Sequence, residues 1–396
     1  LETCRHEVQY DIVAPIHLEN QKMTALQSSP LSEPIALGKI EQELTRQLNA
    51  GQASGGAPMR RARMSNLVIF CNSEEQAKSI SEAVPHIVEH HPARVILLIG
   101  DATKREPADV EGKVNVWLCP GVDRVCSEQV TLRAVGAAVD NLPYAVRGLL
   151  IGDLPTNLWW AVPIPPPLAG PLLFDLAEHS QQVIYDSIGW TDPARGVVAT
   201  ATWLNQFQTA PEHGLWRVAS DLNWRRLKYW RRLLAQSLDP VVAPDALTSM
   251  TEVLVEHGPH AVVQAWELVS WLAARLHWHV DGGKIVPGVE IDWQVSAPHG
   301  HLTIRLRRLA DGPSVVRKVR IACKLDGKMD ALNFTVEDDR RLAAKPEASP
   351  GAARTVTIQR QSLPELIARQ LSDRERSPVF RDSMMVAQIL AKSVLG

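Results

Sequence analysis

From residue 66 to about 207 the chain alternates short apolar runs with segments of helical spacing, and this alternation restricts the fold more than any other feature. Asn66–Cys71 has the length and apolar content of a buried strand. Ser73–His90 follows as a helix, with Ser73 as N-cap and Gln76 three residues later. Arg94–Gly100, Lys113–Cys119 and Arg124–Val135 read as strands, and Ala138–Ile151 as an apolar helix. Past a turn at Asp153-Leu154-Pro155, an extended stretch carries Trp159 and Trp160. A helix at Pro171–His179, a strand at Gln182–Asp186 and a helix at Ala194–Phe207 keep the rhythm. Strands that alternate with helices in this way make an α/β domain.

The second half has a different pattern. Two helices, Asp221–Leu238 and His260–Leu276, precede strands at Val289–Ser296, His301–Leu309, Ser314–Leu325 and Ala331–Glu337. Helices followed by an antiparallel strand meander indicate an α+β domain. Arg340–Ala353, with Pro346, Pro350 and Gly351, reads as a loop and Thr355–Gln359 as an edge strand, while Leu363–Leu371 and Val379–Leu395 read as closing helices. Upstream, Ile35–Leu48 has helical spacing and Ala50–Pro58 the composition of a flexible connection. At 396 residues two cores are expected. The organisation predicted is a polar lead, short helix and linker over 1–62, an α/β domain over 63–215, and an α+β domain with C-terminal helices over 216–396.

A net charge of -2 supplies no global positive field for a polyanion, so nucleic acid is not an expected partner. Runs such as Val95–Ile99 fall far short of the roughly 20 apolar residues that cross a bilayer, and no leader pattern opens the chain, so a cytoplasmic protein without membrane contact is expected. Five cysteines, Cys4, Cys71, Cys119, Cys126 and Cys323, suit a reducing compartment. Cys119 and Cys126 flank a Pro120-Gly121 turn and form a candidate redox pair, with unrelated thiols as the alternative.

Neither G-x-G-x-x-G nor G-x-x-x-x-G-K-[ST] occurs, and G-x-S-x-G, H-E-x-x-H and paired C-x-x-C are also missing. No cofactor, metal or catalytic residue is therefore assigned. The histidine pairs His257/His260, His277/His279 and His299/His301 lack an accompanying Cys or paired carboxylate, which leaves them as satisfied or surface side chains. Tryptophan is abundant, twelve against four Tyr and five Phe. On an extended stretch Trp159 and Trp160 point to opposite faces, so one can fill the core while the other meets a loop, ligand or partner; the alternative is two half-buried core residues. Downstream of Asp221, a helix N-cap, Trp224, Leu227, Trp230 and Leu234 form one stripe, with Arg225, Lys228 and Arg232 off it. Such a basic face binds phosphates or an acidic partner, or is simply solvated and salt-bridged.

Several of these segments resemble the OpcA family of glucose-6-phosphate dehydrogenase assembly proteins. They are D-L-P-T-N-L-W-W at 153–160, V-I-Y-D-S at 183–187, R-M-S-N-L-V-I at 63–69, C-S-E-Q-V at 126–130, D-L-N-W-R-R-L-K-Y-W-R at 221–231 and P-V-F at 378–380. The resemblance implies a non-catalytic, cofactor-free protein that associates with glucose-6-phosphate dehydrogenase, promotes its active oligomer and raises its activity. Asp153, Trp159, Trp160, Trp224, Arg225, Lys228, Arg231 and Arg232 are the candidate partner contacts. The competing expectation is a sugar-phosphate enzyme or sensor that clamps phosphate with Arg225, Arg226, Arg231 or Arg232.

Overall fold

The computed structural model describes residues 24–25, 35–53, 60–61, 63–103, 110–118, 125–209, 217–338, 340–348, 353–359, 361–374 and 376–395. The first half contains β1 (Thr24–Ala25), α1 (Ile40–Ala53), β2 (Arg60–Arg61), β3 (Ser65–Cys71), α2 (Glu74–His90), β4 (Ala93–Asp101), β5 (Glu111–Leu118) and β6 (Val125–Val135). It continues with α3 (Leu142–Arg147), β7 (Thr156–Trp160), α4 (Pro171–Ala177), β8 (Gln182–Tyr185), α5 (Pro193–Thr209), β9 (Val218–Asp221), α6 (Leu222–Arg226) and α7 (Lys228–Ser237). Six strands run parallel in the order β6-β4-β3-β7-β8-β9, with β5 antiparallel on β6 and β1 on β5. By order of appearance those six read 3-2-1-4-5-6, the doubly wound arrangement of dinucleotide-binding domains.

The second half holds β10 (Glu252–His257), α8 (Val262–Arg275), β11 (His279–Val286), β12 (Glu290–Ala297), β13 (Gly300–Arg308), β14 (Val316–Leu325), β15 (Lys328–Asp338), β16 (Arg341–Pro346) and β17 (Arg354–Thr357), then α9 (Leu363–Ser372) and α10 (Pro378–Leu395). Its sheet runs β11-β12-β13-β10-β14-β15-β16-β17. All pairs are antiparallel except β10 with β13. An α/β half followed by a β-rich half thus matches the pattern read from the sequence, with β10 inserted into the meander.

Strands β3 and β4 are apolar almost throughout because both faces of their sheet are covered. One face packs Leu67, Leu97, Trp159 and Ile184 against α2 and, from far along the chain, Leu366, Ile367 and Leu371 of α9. The other face carries Val68, Ile96, Leu158, Trp160 and Tyr185 into a core that continues without a break into the second sheet. Helix α8 is apolar nearly all round and accordingly buried. Helix α10 ties the two halves together. Its Gln388 donates to Thr202 Oγ1 of α5 at 2.6 Å, and its Leu390 carbonyl accepts from Trp293 Nε1 of β12 at 3.0 Å.

Local differences from the sequence reading have local causes. The helix expected over 138–151 is a 3-10 turn at Gly136–Asn141 followed by the short α3, which Pro143 opens. The helix expected from Asp221 to Leu238 breaks at Leu227 into α6 and α7. Helix α1 continues to Ala53, past the start of the expected linker. Arg340–Ala353 is not all loop, because Arg341–Pro346 pairs with β15 and turns Leu342 and Ala344 inward. Cys119 lies outside the described residues, and with it the candidate redox pair; Cys71 and Cys323 are buried free thiols.

Candidate functional site

The segments that carried the family resemblance meet in pairs. Asn66 is fully buried and organises the turn before β7. Its Nδ2 donates to the Ile151 and Leu154 carbonyls at 3.1 and 3.3 Å, while its Oδ1 accepts from Ile151 N–H at 3.0 Å. Asp153 sits exposed at the apex of that turn. From the same segment Arg63 reaches Glu128 of β6 at 2.6 Å. Glu128 also accepts from buried Arg94, which in turn contacts Glu41 at 2.6 Å and the Leu149 carbonyl at 2.9 Å. These contacts pair every buried charge they involve, as burial requires.

Trp159 and Trp160 do face opposite sides of the sheet, but each is only 2% exposed. Because β7 is a central strand, helices cover both faces. Trp160 stacks on Phe70 with ring centroids 4.6 Å apart and donates Nε1–H to the Ile164 carbonyl at 3.2 Å. Neither indole reaches the surface of the chain.

The densest polar constellation lies at the carboxyl ends of β8 and β9, where α6 and α8 close over them. Asp221 caps α6 as expected, accepting from Asn223 N–H at 2.8 Å, and also accepts from Ser187 N–H at 3.2 Å. Arg226 forks both guanidinium nitrogens onto Asp186 at 2.8 Å. Asn223 donates to Ser187 Oγ at 2.8 Å and accepts from Arg226 at 3.0 Å and from Gln264 of α8 at 3.3 Å. Gln264 then accepts from Val316 N–H of β14 at 2.7 Å, so one chain of hydrogen bonds joins the two sheets.

Glu267, one turn beyond Gln264 on α8, is also buried, and as an anion it finds no donor for either oxygen. Burial and then neighbouring Asp221 push its carboxyl well above the usual range. Burial and then Asp186 push Asp221 up to about 7. Burial and like-charge repulsion thus hold both carboxyls toward their protonated forms. Burial lowers Arg231 to about 10, and its guanidinium lies 3.6 Å from the Trp224 ring centroid while donating to the Trp224 carbonyl at 2.7 Å. Arg225, Arg226 and Arg231 therefore all have protein partners, and the expected multi-arginine phosphate clamp is not assembled. Only Lys228 and Arg232 of the basic face are exposed. Sequence reasoning missed Glu267 and Gln264, whose helix offers only an apolar pattern.

At the carboxyl end of β3, where doubly wound domains hold a pyrophosphate, the turn of this protein is exposed and carries no glycine. A glycine-rich turn there exposes backbone N–H groups to phosphate. Here the turn reads Asn72-Ser73-Glu74-Glu75, and Ser73 Oγ, not a ligand, accepts the Gln76 N–H at 3.2 Å. Gln76 Nε2 donates across to the Ala161 carbonyl after β7 at 2.5 Å. Two carboxylates in the first turn of α2 oppose a second anion. Among the described residues, no three His, Cys, Asp or Glu side chains gather as a metal site, and no helix is long and apolar enough to cross a membrane.

A family profile described as the glucose-6-phosphate dehydrogenase subunit N-terminal domain matches residues 84–202, and its C-terminal counterpart matches residues 217–384. The chain belongs to the OpcA family. It is 29% identical over 214 residues to a Nostoc punctiforme protein provisionally named OxPP cycle protein OpcA, a match covering 52% of this chain and 43% of that one. A Synechocystis OpcA protein with the same provisional name is 27% identical over 210 residues, covering 51% and 41%. This chain therefore matches less than half the length of these OpcA relatives. Among solved structures, an oxidoreductase from Sinorhizobium meliloti aligns with a TM-score of 0.48 and 11% identity, covering 85% of this chain and 97% of that one. Likeness at that level carries no argument about chemistry.

Proposed function

We propose that the protein is a non-catalytic cytoplasmic partner of glucose-6-phosphate dehydrogenase that favours its active oligomer and so raises flux into the oxidative pentose phosphate pathway. The observation that carries this reading is the glycine-free, acidic turn after β3. The strand order of a dinucleotide-binding domain is present, yet the turn after β3 has no glycine, Glu74 and Glu75 set two carboxylates at the N-terminus of α2, and Gln76 is bonded to the Ala161 carbonyl. Family membership over both halves supports the choice of partner. We assign the contact to the exposed Lys228 and Arg232, one turn apart on α7, with Asp153 as a second candidate. Activation requires tighter binding to the active oligomer than to the inactive form, by about 1–3 kcal/mol for a typical coupling.

The test is dehydrogenase activity against glucose 6-phosphate, with the enzyme from the same organism, with and without this protein, alongside co-elution. A lower half-saturation or higher maximal rate together with a shared peak is expected. Unchanged kinetics and separate elution under reducing and oxidising conditions would sink the proposal.

A further inference from the structure

A cavity of about 300 Å³ lies between α6–α7, strands β14–β16 and the segment leading into α9. Its polar lining comes from Arg225, Arg226, Tyr229, Gln264, Gln359 and Gln361, and no carboxylate lines it. Arg226 is already matched by Asp186. Arg225 is less committed: Nε donates to Gln370 at 2.8 Å and Nη2 to Asp373 at 2.7 Å, and the Asp373 side chain is 53% exposed. Its Nη1 has no partner among the described residues. Arg369 occupies the carbonyl oxygen of Gln359 at 3.0 Å and, in the amide orientation that satisfies both groups, that of Gln361 at 2.5 Å. What these two amides have left to offer is N–H. The cavity therefore presents hydrogen-bond donors and positive charge.

Trp230, Val316 and Leu342 supply apolar wall. A bare sugar phosphate would leave its hydroxyls against that wall without partners, whereas an aromatic ring would gain from it. The volume is at the small end of ligand sites, enough for a compact aromatic molecule and too small for a dinucleotide. We propose that this cavity binds a small aromatic anion, a carboxylate, sulfonate or phosphate monoester, with its charged head on Arg225 and its ring against Trp230 and Val316. The site is independent of the partner reading, because the chain alone should show it.

The experiment is a fluorescence titration of the full chain with 8-anilinonaphthalene-1-sulfonate and with its neutral analogue N-phenyl-1-naphthylamine. The sulfonate is expected to saturate one site and to bind at least tenfold more tightly than the amine. Arg225→Leu should remove that preference, and Val336→Trp, which fills the cavity from its half-buried rim, should weaken both dyes. Equal affinity of the two dyes for the wild-type chain would overturn the proposal even if the Arg225→Leu chain did not fold. So would sulfonate binding left unchanged by Arg225→Leu and Val336→Trp. Displacement of the sulfonate by glucose 6-phosphate at equal concentration would also overturn it, in favour of a sugar-phosphate site.

Discussion

Asp221→Asn isolates the raised carboxyl between β9 and α8. Asparagine is an N-cap as good as aspartate, and its Oδ1 can accept from Asn223 and Ser187 as before, so the main change is the loss of an ionisable group. In the folded chain Asp221 titrates at about 7, against an unperturbed 3.8. With the folded value raised, the folded state holds a proton that the unfolded state has already lost. Wild-type stability therefore falls as pH rises from 3.8 through about 7, by about 4 kcal/mol in full. About 3 kcal/mol of that loss develops between pH 5 and pH 8. Urea unfolding at both pH values, extrapolated to water, should show the Asp221→Asn variant gaining on wild type by that difference as pH rises. Glu267→Gln should shift in the same direction, because its carboxyl is also held above the usual range. A wild-type-to-variant difference that is the same at pH 5 and pH 8, within about 1 kcal/mol, would refute the raised Asp221 carboxyl.

Trp160→Ala should cost about 3–5 kcal/mol by leaving a cavity beside Phe70, and thermal melts should register it even without any partner present. Gly258→Ala should be more damaging than its size suggests, by at least about 2 kcal/mol, because a Cβ there would overlap the Pro313 carbonyl oxygen; denaturant midpoints check it. Charge reversal of the exposed pair, Lys228→Glu with Arg232→Glu, should leave the melting temperature within a few degrees of wild type. The same variant should weaken association with the dehydrogenase at least tenfold at low salt, and equal binding in a pull-down titration would reject the α7 contact.

The α/β half was legible because its strands are buried on both faces and so read as unbroken apolar runs, as at Val95–Ile99. Strand β9 escaped because four residues, ending in a buried aspartate, give no period. Strand β11 escaped because it is a mostly exposed edge strand carrying Gly282 and Gly283, with no apolar alternation to see. The doubled tryptophan was read correctly as a split between two faces. Its surface role was not, since a central position in the sheet is a property of strand order, which no local pattern reveals. Asp221 could be named from its capping position, but Glu267 could not. Its significance depends on another element arriving beside it, and within α8 it looks like one polar residue in an apolar helix.

The packing of α9 on the first sheet has a consequence for how the chain is made. Leu366, Ile367 and Leu371 complete the layer over Trp159 and Ile184, yet they leave the ribosome long after β9. At roughly 5–20 residues per second, the partly built sheet waits on the order of ten seconds with the part of its apolar face beyond α2 uncovered. During that interval the nascent chain offers chaperones, or a neighbouring nascent chain, the surface that α9 later claims.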